Sequence, residues 1–283
     1  MCNIGVVVLH YETLNNTIEC IDSILSIKNG EQVKIVVVDN GSKKGKLETI
    51  ENNYKEKKNV IFLYSTENLG YAKGNNLGLN YAKNILRCEI IILANNDLIF
   101  SDYKFFPTLM EHYRKDMFDV AGPRIISLMD HKNQNPVQKI YKNLHDVKVR
   151  RWKFIALYIL SFFNLDTKLM KDDDYAHRDQ LDMADFQLHG SCVILGNKYV
   201  KNYPGLCDKT FMYGEECILK YIVDRDHLNM YYYDDIIVNH KEASTTKEVL
   251  GKGGKKRRFY YKWAANGCNV QIKLMENKIS FYG

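Results

Sequence analysis

None of the seven cysteines, Cys2, Cys20, Cys88, Cys192, Cys207, Cys217 and Cys268, forms a close pair with another. That spacing argues against a zinc site and a disulfide framework, and an odd number fits reduced thiols in a cytosolic compartment. The start of the chain has neither the basic opening nor the small-residue cleavage site of a signal peptide, because it enters an apolar run at once, Ile4-Gly5-Val6-Val7-Val8-Leu9. Export is not expected. A membrane-crossing helix needs roughly 20 apolar residues. The stretch Arg150 to Phe163 offers an apolar part of about ten. Internal repeats and long low-complexity segments are absent as well. Charge of one sign is hardly in excess: 40 basic against 34 acidic residues leave a net +6, a mild bias toward an anionic partner.

What is present points to an α/β protein. With 283 residues, 46% hydrophobic and 26% charged, the chain is long enough for a sizeable core and reads as one compact catalytic unit. The first hundred residues alternate strands, over 4–9, 33–38, 60–64 and 89–94, with helical patterns over about 14–28, 44–56 and 74–86. Such alternation predicts right-handed crossovers and a mostly parallel sheet covered on both faces. Two of the apolar runs end in carboxylates, Ile35-Val36-Val37-Val38-Asp39 and Ile90-Ile91-Ile92-Leu93-Ala94-Asn95-Asn96-Asp97. In open parallel sheets ligands bind just beyond the carboxyl ends of the strands, so Asp39 and Asp97 are expected to share one cleft.

Beyond Pro107 a helix of about ten residues leads to Val120-Ala121-Gly122-Pro123, and from Ile125 to Gln187 the pattern loosens into a polar stretch. Loops on a rigid scaffold carry specificity, so this is the partner-specific portion. Order resumes at His189-Gly190-Ser191-Cys192-Val193-Ile194-Leu195, continues through Phe211-Met212-Tyr213-Gly214-Glu215-Glu216, and closes with the strand Ile236-Ile237-Val238 before Asn239-His240. The tail then turns basic and aromatic over residues 251–263.

Five motifs now stand in order: Val-Val-Asp-Asn-Gly-Ser at 37–42, Asn-Leu-Gly-Tyr-Ala-Lys-Gly-Asn-Asn at 68–76, Leu-Ala-Asn-Asn-Asp at 93–97, Phe-Met-Tyr-Gly-Glu-Glu at 211–216, and the lone His240. Over roughly residues 3 to 245 the chain resembles family 2 glycosyltransferases, and among them the bacterial rhamnosyltransferase-like branch. The resemblance implies the GT-A fold, a mostly parallel central sheet flanked by helices. It also implies inverting transfer from a UDP- or dTDP-sugar to a hydroxyl of a glycan or lipid-linked acceptor in bacterial surface polysaccharide synthesis. A catalytic domain over 1–245 is expected, with a nucleotide-sugar half (1–124) and an acceptor half (125–245), followed by a basic aromatic extension (246–283).

By the same resemblance Asp39, with Asn40, contacts a pyrimidine base or ribose, although Asp-Asn-Gly-Ser is also plain turn chemistry. Asn95-Asn96-Asp97 takes the place of the family's Asp-x-Asp element. Asp97 is then a metal ligand, and Asn95 offers neutral contacts to ribose or water; a helix-capping turn is the other reading. His240 matches a histidine that reaches the metal. A divalent ion on hard oxygen ligands neutralises a departing diphosphate without proton transfer, and imidazole ligation suits Mn²⁺ better than Mg²⁺. Lys73, beside the amides of a helix start, could contact phosphate, with Asn76 in the first helical turn facing the cleft. Glu216 matches the base that takes the acceptor proton, and Glu215 its acidic neighbour that binds acceptor hydroxyls. The chain departs from the family where Ile218 and Ile222 follow the acidic pair and where Ala265 precedes Asn266.

Arg150 to Phe163, and the mixture of Lys, Arg, Phe, Tyr and Trp at 251–263, suit an anionic membrane interface; a buried helix and a solvated tail are the alternatives. The expected place is the cytoplasm, peripheral on the inner face of the membrane. A nucleotidyltransferase would carry a Gly-rich basic loop after the first strand, where this chain has Leu9-His10-Tyr11-Glu12. A non-catalytic nucleic-acid- or membrane-binding protein driven by the basic tail is disfavoured because the basic patch is local and no nucleic-acid-binding signature accompanies it. Oligomerisation is left open.

Overall fold

The computed structural model describes residues 3–44, 46–137, 141–169, 185–242 and 253–281. In chain order the strands are β1 (Ile4–His10), β2 (Lys34–Asp39), β3 (Val60–Tyr64), β4 (Ile90–Asn95), β5 (Leu98–Ile99), β6 (Val120–Ser127), β7 (Cys192–Leu195) and β8 (Met230–His240). The helices are α1 (Leu14–Ser26), α2 (Glu48–Glu51), α3 (Tyr71–Asn84), α4 (Phe105–Asp116), α5 (Leu144–Leu160), α6 (Asn197–Asn202), α7 (Glu215–Arg225) and α8 (Gly254–Met275).

Alternate side chains of a strand point to opposite faces, so a run with no polar alternation must be covered on both. Val6 and Val8 of β1, Ile35 and Val37 of β2, and Ile90 and Ile92 of β4 pack with Ile21 and Ile24 of α1 and with Phe105 of α4. Val7, Val36 and Ile91, from the same strands, pack on the other side with Leu79 of α3, Tyr199 of α6 and Leu219 of α7. Full burial of each such side chain contributes about 1.5–3 kcal/mol.

The sheet runs β3-β2-β1-β4-β7-β6-β8-β5. Four pairings are parallel, and three, β4 with β7, β6 with β7, and β5 with β8, are antiparallel. Register places the functional ends. His10 pairs with Asp39, and Leu9 with Asn95, so the carboxyl ends of β1, β2 and β4 lie abreast. Leu98 pairs with His240, which brings the end of β8 against the Asn95-to-Asp97 turn.

Two helices differ from the sequence expectation. Instead of a helix over 44–56 there is the short α2 and a 3₁₀ turn at Asn52–Tyr54. Glu12 accepts hydrogen bonds from the Lys43 and Lys44 amides, and Asp39 from the Ser42 and Leu47 amides. Those side-chain acceptors hold the segment as a loop, in competition with helix formation. Helix α3 begins three residues earlier than expected, at Tyr71.

Residues 150–163 fall on α5 and the turn after it, and most of 251–263 on α8; residues 251 and 252, and the stretches 246–250 and 170–184, lie outside the described residues. Phe154 and Leu157 of α5 are buried against Tyr261, Ala264 and Cys268 of α8. Beside this seam the buried Asp166 accepts from Arg257 at 2.6 Å and from the Tyr261 hydroxyl at 3.0 Å. The opposite face of α5 is open, with Trp152 60% and Ile159 55% exposed, and Phe163 just beyond it 72%. Among the described residues no helix is long and apolar enough to cross a membrane.

Candidate functional site

A cavity of about 680 Å³ opens at the carboxyl ends of the strands. Asn40, Asn95, Asn96 and Asp97 line it from the sheet, Glu215 and Glu216 from the start of α7, and Phe211, Tyr213, Phe259 and Tyr260 form an aromatic wall. Asp39, Lys73, Asn76 and His240 lie outside this lining.

Asp39 is buried at the end of β2, where its oxygens accept from the Ser42 amide at 2.8 Å and the Leu47 amide at 3.2 Å. Asn40 ties the next loop down: its Oδ1 accepts from the Leu69 amide, and its Nδ2 donates to the Gly70 carbonyl. Gly70 is the junction between two motifs that are distant in sequence. Its φ is +82°, and a Cβ there would lie 2.1 Å from the Phe211 carbonyl oxygen, which also accepts from the Tyr71 amide at 2.7 Å. Only glycine permits both the left-handed backbone and this approach. Asn76 turns to the neighbouring loop, accepting from the Leu206 amide at 2.7 Å and donating to the Leu206 carbonyl at 2.8 Å. Lys73 is exposed.

Asn96 and Asp97 divide the work of their turn. The buried Asn96 amide donates to the Thr13 and Thr17 hydroxyls, both at 2.8 Å, which anchors the turn to α1 and the loop before it. Asp97 points instead at His240: Oδ1 is 3.3 Å from Nε2, yet this buried oxygen receives no hydrogen bond. On the far side of the ring Nδ1 lies 2.7 Å from Gln134 Oε1, and Gln134 Nε2 donates to Glu242 at 2.6 Å. Because Glu242 takes the amide protons, Gln134 presents its carbonyl, and the imidazole proton belongs on Nδ1. The Nε2 lone pair then faces a carboxylate oxygen that lacks a donor, and two acceptors pointing at one spot suit a cation. A histidine ligand oriented through its other nitrogen is the usual outer-shell arrangement of metal sites. This pair fits a divalent ion. Among the described residues no group of three or more His, Cys, Asp or Glu could hold one, so other oxygens would have to complete the coordination.

Across the cavity Glu215 is buried and accepts from the Thr210 hydroxyl at 2.9 Å. Burial, reinforced by the Glu216 carboxylate, pushes its carboxyl up to about 7. Glu216 is half-buried, and a Cβ on Gly190 would come 2.4 Å from its Oε1. The glycine therefore leaves room for the carboxylate. The Tyr71 hydroxyl donates to the Gly190 carbonyl; burial, then Glu216 and Glu215, drive that phenol well above its ordinary range. Tyr71 thus ties α3 to the loop that faces Glu216.

Sequence reasoning missed Gln134, Tyr71 and a role for Arg150 in the cavity. Tyr71 lay inside a motif and Arg150 beside an apolar run, so each carried a weak signal; Gln134 sat in a polar stretch with none.

The curled sheet flanked by helices has the GT-A fold, which solved structures share. S. aureus TarS 1–349 in complex with UDP is 14% identical, with a TM-score of 0.57 over 84% of this chain and 60% of that one. GalNAc-T7 with UDP, GalNAc and Mn²⁺ is 12% identical, with a TM-score of 0.60 over 87% of this chain and 45% of that one. The chain thus spans less than two thirds of the length of either. Residues 5–175 match Glycosyl transferase family 2, and the protein belongs to that family. No curated protein matches it. Nothing in these likenesses singles out the rhamnosyltransferase-like branch.

Proposed function

We propose that the protein is an inverting glycosyltransferase that moves a sugar from a UDP- or dTDP-linked donor to a hydroxyl of a glycan or lipid-linked acceptor, in the synthesis of a bacterial surface polysaccharide. The observation that carries this reading is the placement of Asp97 and Glu216 on one cavity at the strand ends, with His240 beside Asp97. The donor's nucleoside would lie toward Asp39, Asn40 and Asn95, with Lys73 near the phosphates. Asp97 and His240 would hold Mn²⁺ or Mg²⁺, which when bound neutralises charge on the diphosphate. Support for donor and ion comes from the TarS structure with UDP and the GalNAc-T7 structure with UDP and Mn²⁺.

Glu216 takes the proton of the acceptor hydroxyl as its oxygen attacks the anomeric carbon. The bond from that carbon to the diphosphate oxygen breaks on the opposite face, the nucleoside diphosphate leaves with the electron pair, and configuration inverts. Glu215 orients acceptor hydroxyls. Calorimetric titration with UDP and dTDP, with and without Mn²⁺, tests the reading. Metal-dependent binding of one of them is expected, and binding of neither would overturn it.

Trp152, Ile159, Phe162 and Phe163 are exposed on α5 and the turn after it, and the Arg258 guanidinium at the start of α8 lies 5.0 Å from the Phe162 ring centroid. An apolar strip with cations at its edge complements an anionic bilayer surface, which would bring a lipid-linked acceptor to the cavity.

A further inference from the structure

We propose that Arg150 forms an anion subsite on the acceptor side of the cavity, which takes a phosphate or carboxylate group carried by the acceptor. This rests on the glycosyltransferase reading and deepens it by naming a property of the acceptor. Arg150 projects from α5 into the cavity lining, half-buried. Its partners among the described residues are the Cys217 sulfur, 2.9 Å from Nη1, and the rings of Tyr141 and Phe154, 4.3 and 5.5 Å from the guanidinium carbon. No carboxylate is among them. Of the other half-buried arginines, Arg257 has Asp166 at 2.6 Å, whereas Arg151 and Arg258 donate to the Asn269 side chain and the Ser161 carbonyl and lie outside the cavity lining. A guanidinium withdrawn from water normally has a counter-ion, and one held on a cavity wall without it is prepared for an anion that arrives with a ligand.

The geometry assigns that anion to the acceptor. Cys217 directly follows Glu216, so Arg150 stands beside the proposed base at the first turn of α7, whereas Asp97 lies on the turn between β4 and β5 and His240 at the end of β8. Lys153, one helical turn further along α5, also lines the cavity and adds a second cation on the same wall. The fork of N–H donors matches phosphate and carboxylate oxygens alike, and the aromatic surroundings strengthen the attraction by excluding water. The pair of cations also offsets the repulsion that Glu215 and Glu216 would exert on an anionic acceptor.

The test uses the full chain saturated with UDP and Mn²⁺, so that the donor phosphate site is filled, and measures binding of small probes by ligand-observed NMR. Glycerol 3-phosphate is compared with glycerol, and glucuronate with glucose, which separates phosphate from carboxylate. One anionic probe is expected to bind at least tenfold more tightly than its neutral counterpart. Arg150→Gln should abolish that preference while UDP affinity stays within twofold, and Arg150→Lys, which keeps the charge but loses the fork, should retain part of it. Equal binding of charged and neutral probes overturns the subsite, as does a preference that survives Arg150→Gln. A tenfold loss of UDP affinity in Arg150→Gln would hand the residue to the donor diphosphate and also overturn it. Should Arg150→Gln fail to fold, Arg150→Lys decides: a preference reduced at least threefold supports the subsite, and an unchanged one defeats it. If the wild-type chain binds neither UDP nor dTDP, the enzyme reading falls and takes the subsite with it.

Discussion

His240 Nε2 stands 3.3 Å from Asp97 Oδ1 without a hydrogen bond between them, while His240 Nδ1 is held by Gln134. Paired acceptors of this kind repel unless a proton or cation lies between. Asp97→Ala and His240→Ala are therefore expected to abolish Mn²⁺ binding in the presence of UDP, read by electron paramagnetic resonance of free Mn²⁺. Gln134→Ala, which only frees the ring to turn, should weaken it about 10- to 100-fold. Full Mn²⁺ affinity in Asp97→Ala would defeat the assignment.

Glu216→Gln removes the proposed proton acceptor but keeps the side-chain volume beside Gly190. Turnover should fall roughly 10²- to 10⁴-fold while UDP affinity holds. The reverse pattern, intact turnover with weakened nucleotide binding, would contradict its role as base.

Glu215 predicts a pH dependence of stability. Its carboxyl is raised from 4.5 to about 7 in the folded chain, so between these values the folded state binds more protons than the unfolded one. Stability must then fall as pH rises through that window and level off above it, by on the order of 3 kcal/mol from this group. Urea midpoints at pH 5 and pH 8 should show the loss in wild type and a smaller one in Glu215→Gln. Equal slopes in the two proteins would rule out the cause.

Gly70→Ala forces a Cβ to within 2.1 Å of the Phe211 carbonyl oxygen at a φ of +82°. The loss of stability should be about 1–3 kcal/mol, and Tyr71, the next residue, should shift with it and disturb the Glu216 loop. Urea denaturation and turnover are expected to drop together.

Phe162→Ser combined with Phe163→Ser should lower flotation with phosphatidylglycerol vesicles by on the order of tenfold or more, since burial of each ring is worth about 1.5–3 kcal/mol. Wild-type protein that ignores anionic vesicles, or floats equally with neutral phosphatidylcholine, would remove the membrane from the proposal.

Much of the first hundred residues was legible because its signals are local. Continuous apolar runs such as Ile90 to Leu93 announce strands buried on both faces. The helix expected over 44–56 was misread because the acceptors that hold its first residues as a loop, Glu12 and Asp39, come from elsewhere in the chain. Asn76 looked like a cleft residue by motif position, yet its amide is taken up by Leu206, 130 positions away. The α5–α8 seam was equally hidden: an apolar run beside basic residues reads the same whether its partner is lipid or another helix, and Phe154 and Leu157 found Tyr261 and Cys268.

The amino-acid order by itself determined the alternating strands and helices, the family motifs and which residue types stand at the strand ends, since these follow from periodicity and short-range chemistry. Tertiary structure alone decided that Gln134 sets the proton of the His240 imidazole, and that Arg150 reaches the cavity with no carboxylate among its partners in the described residues. Those outcomes depend on strand register and helix docking across long separations, where a one-residue slip would turn each side chain to the other face.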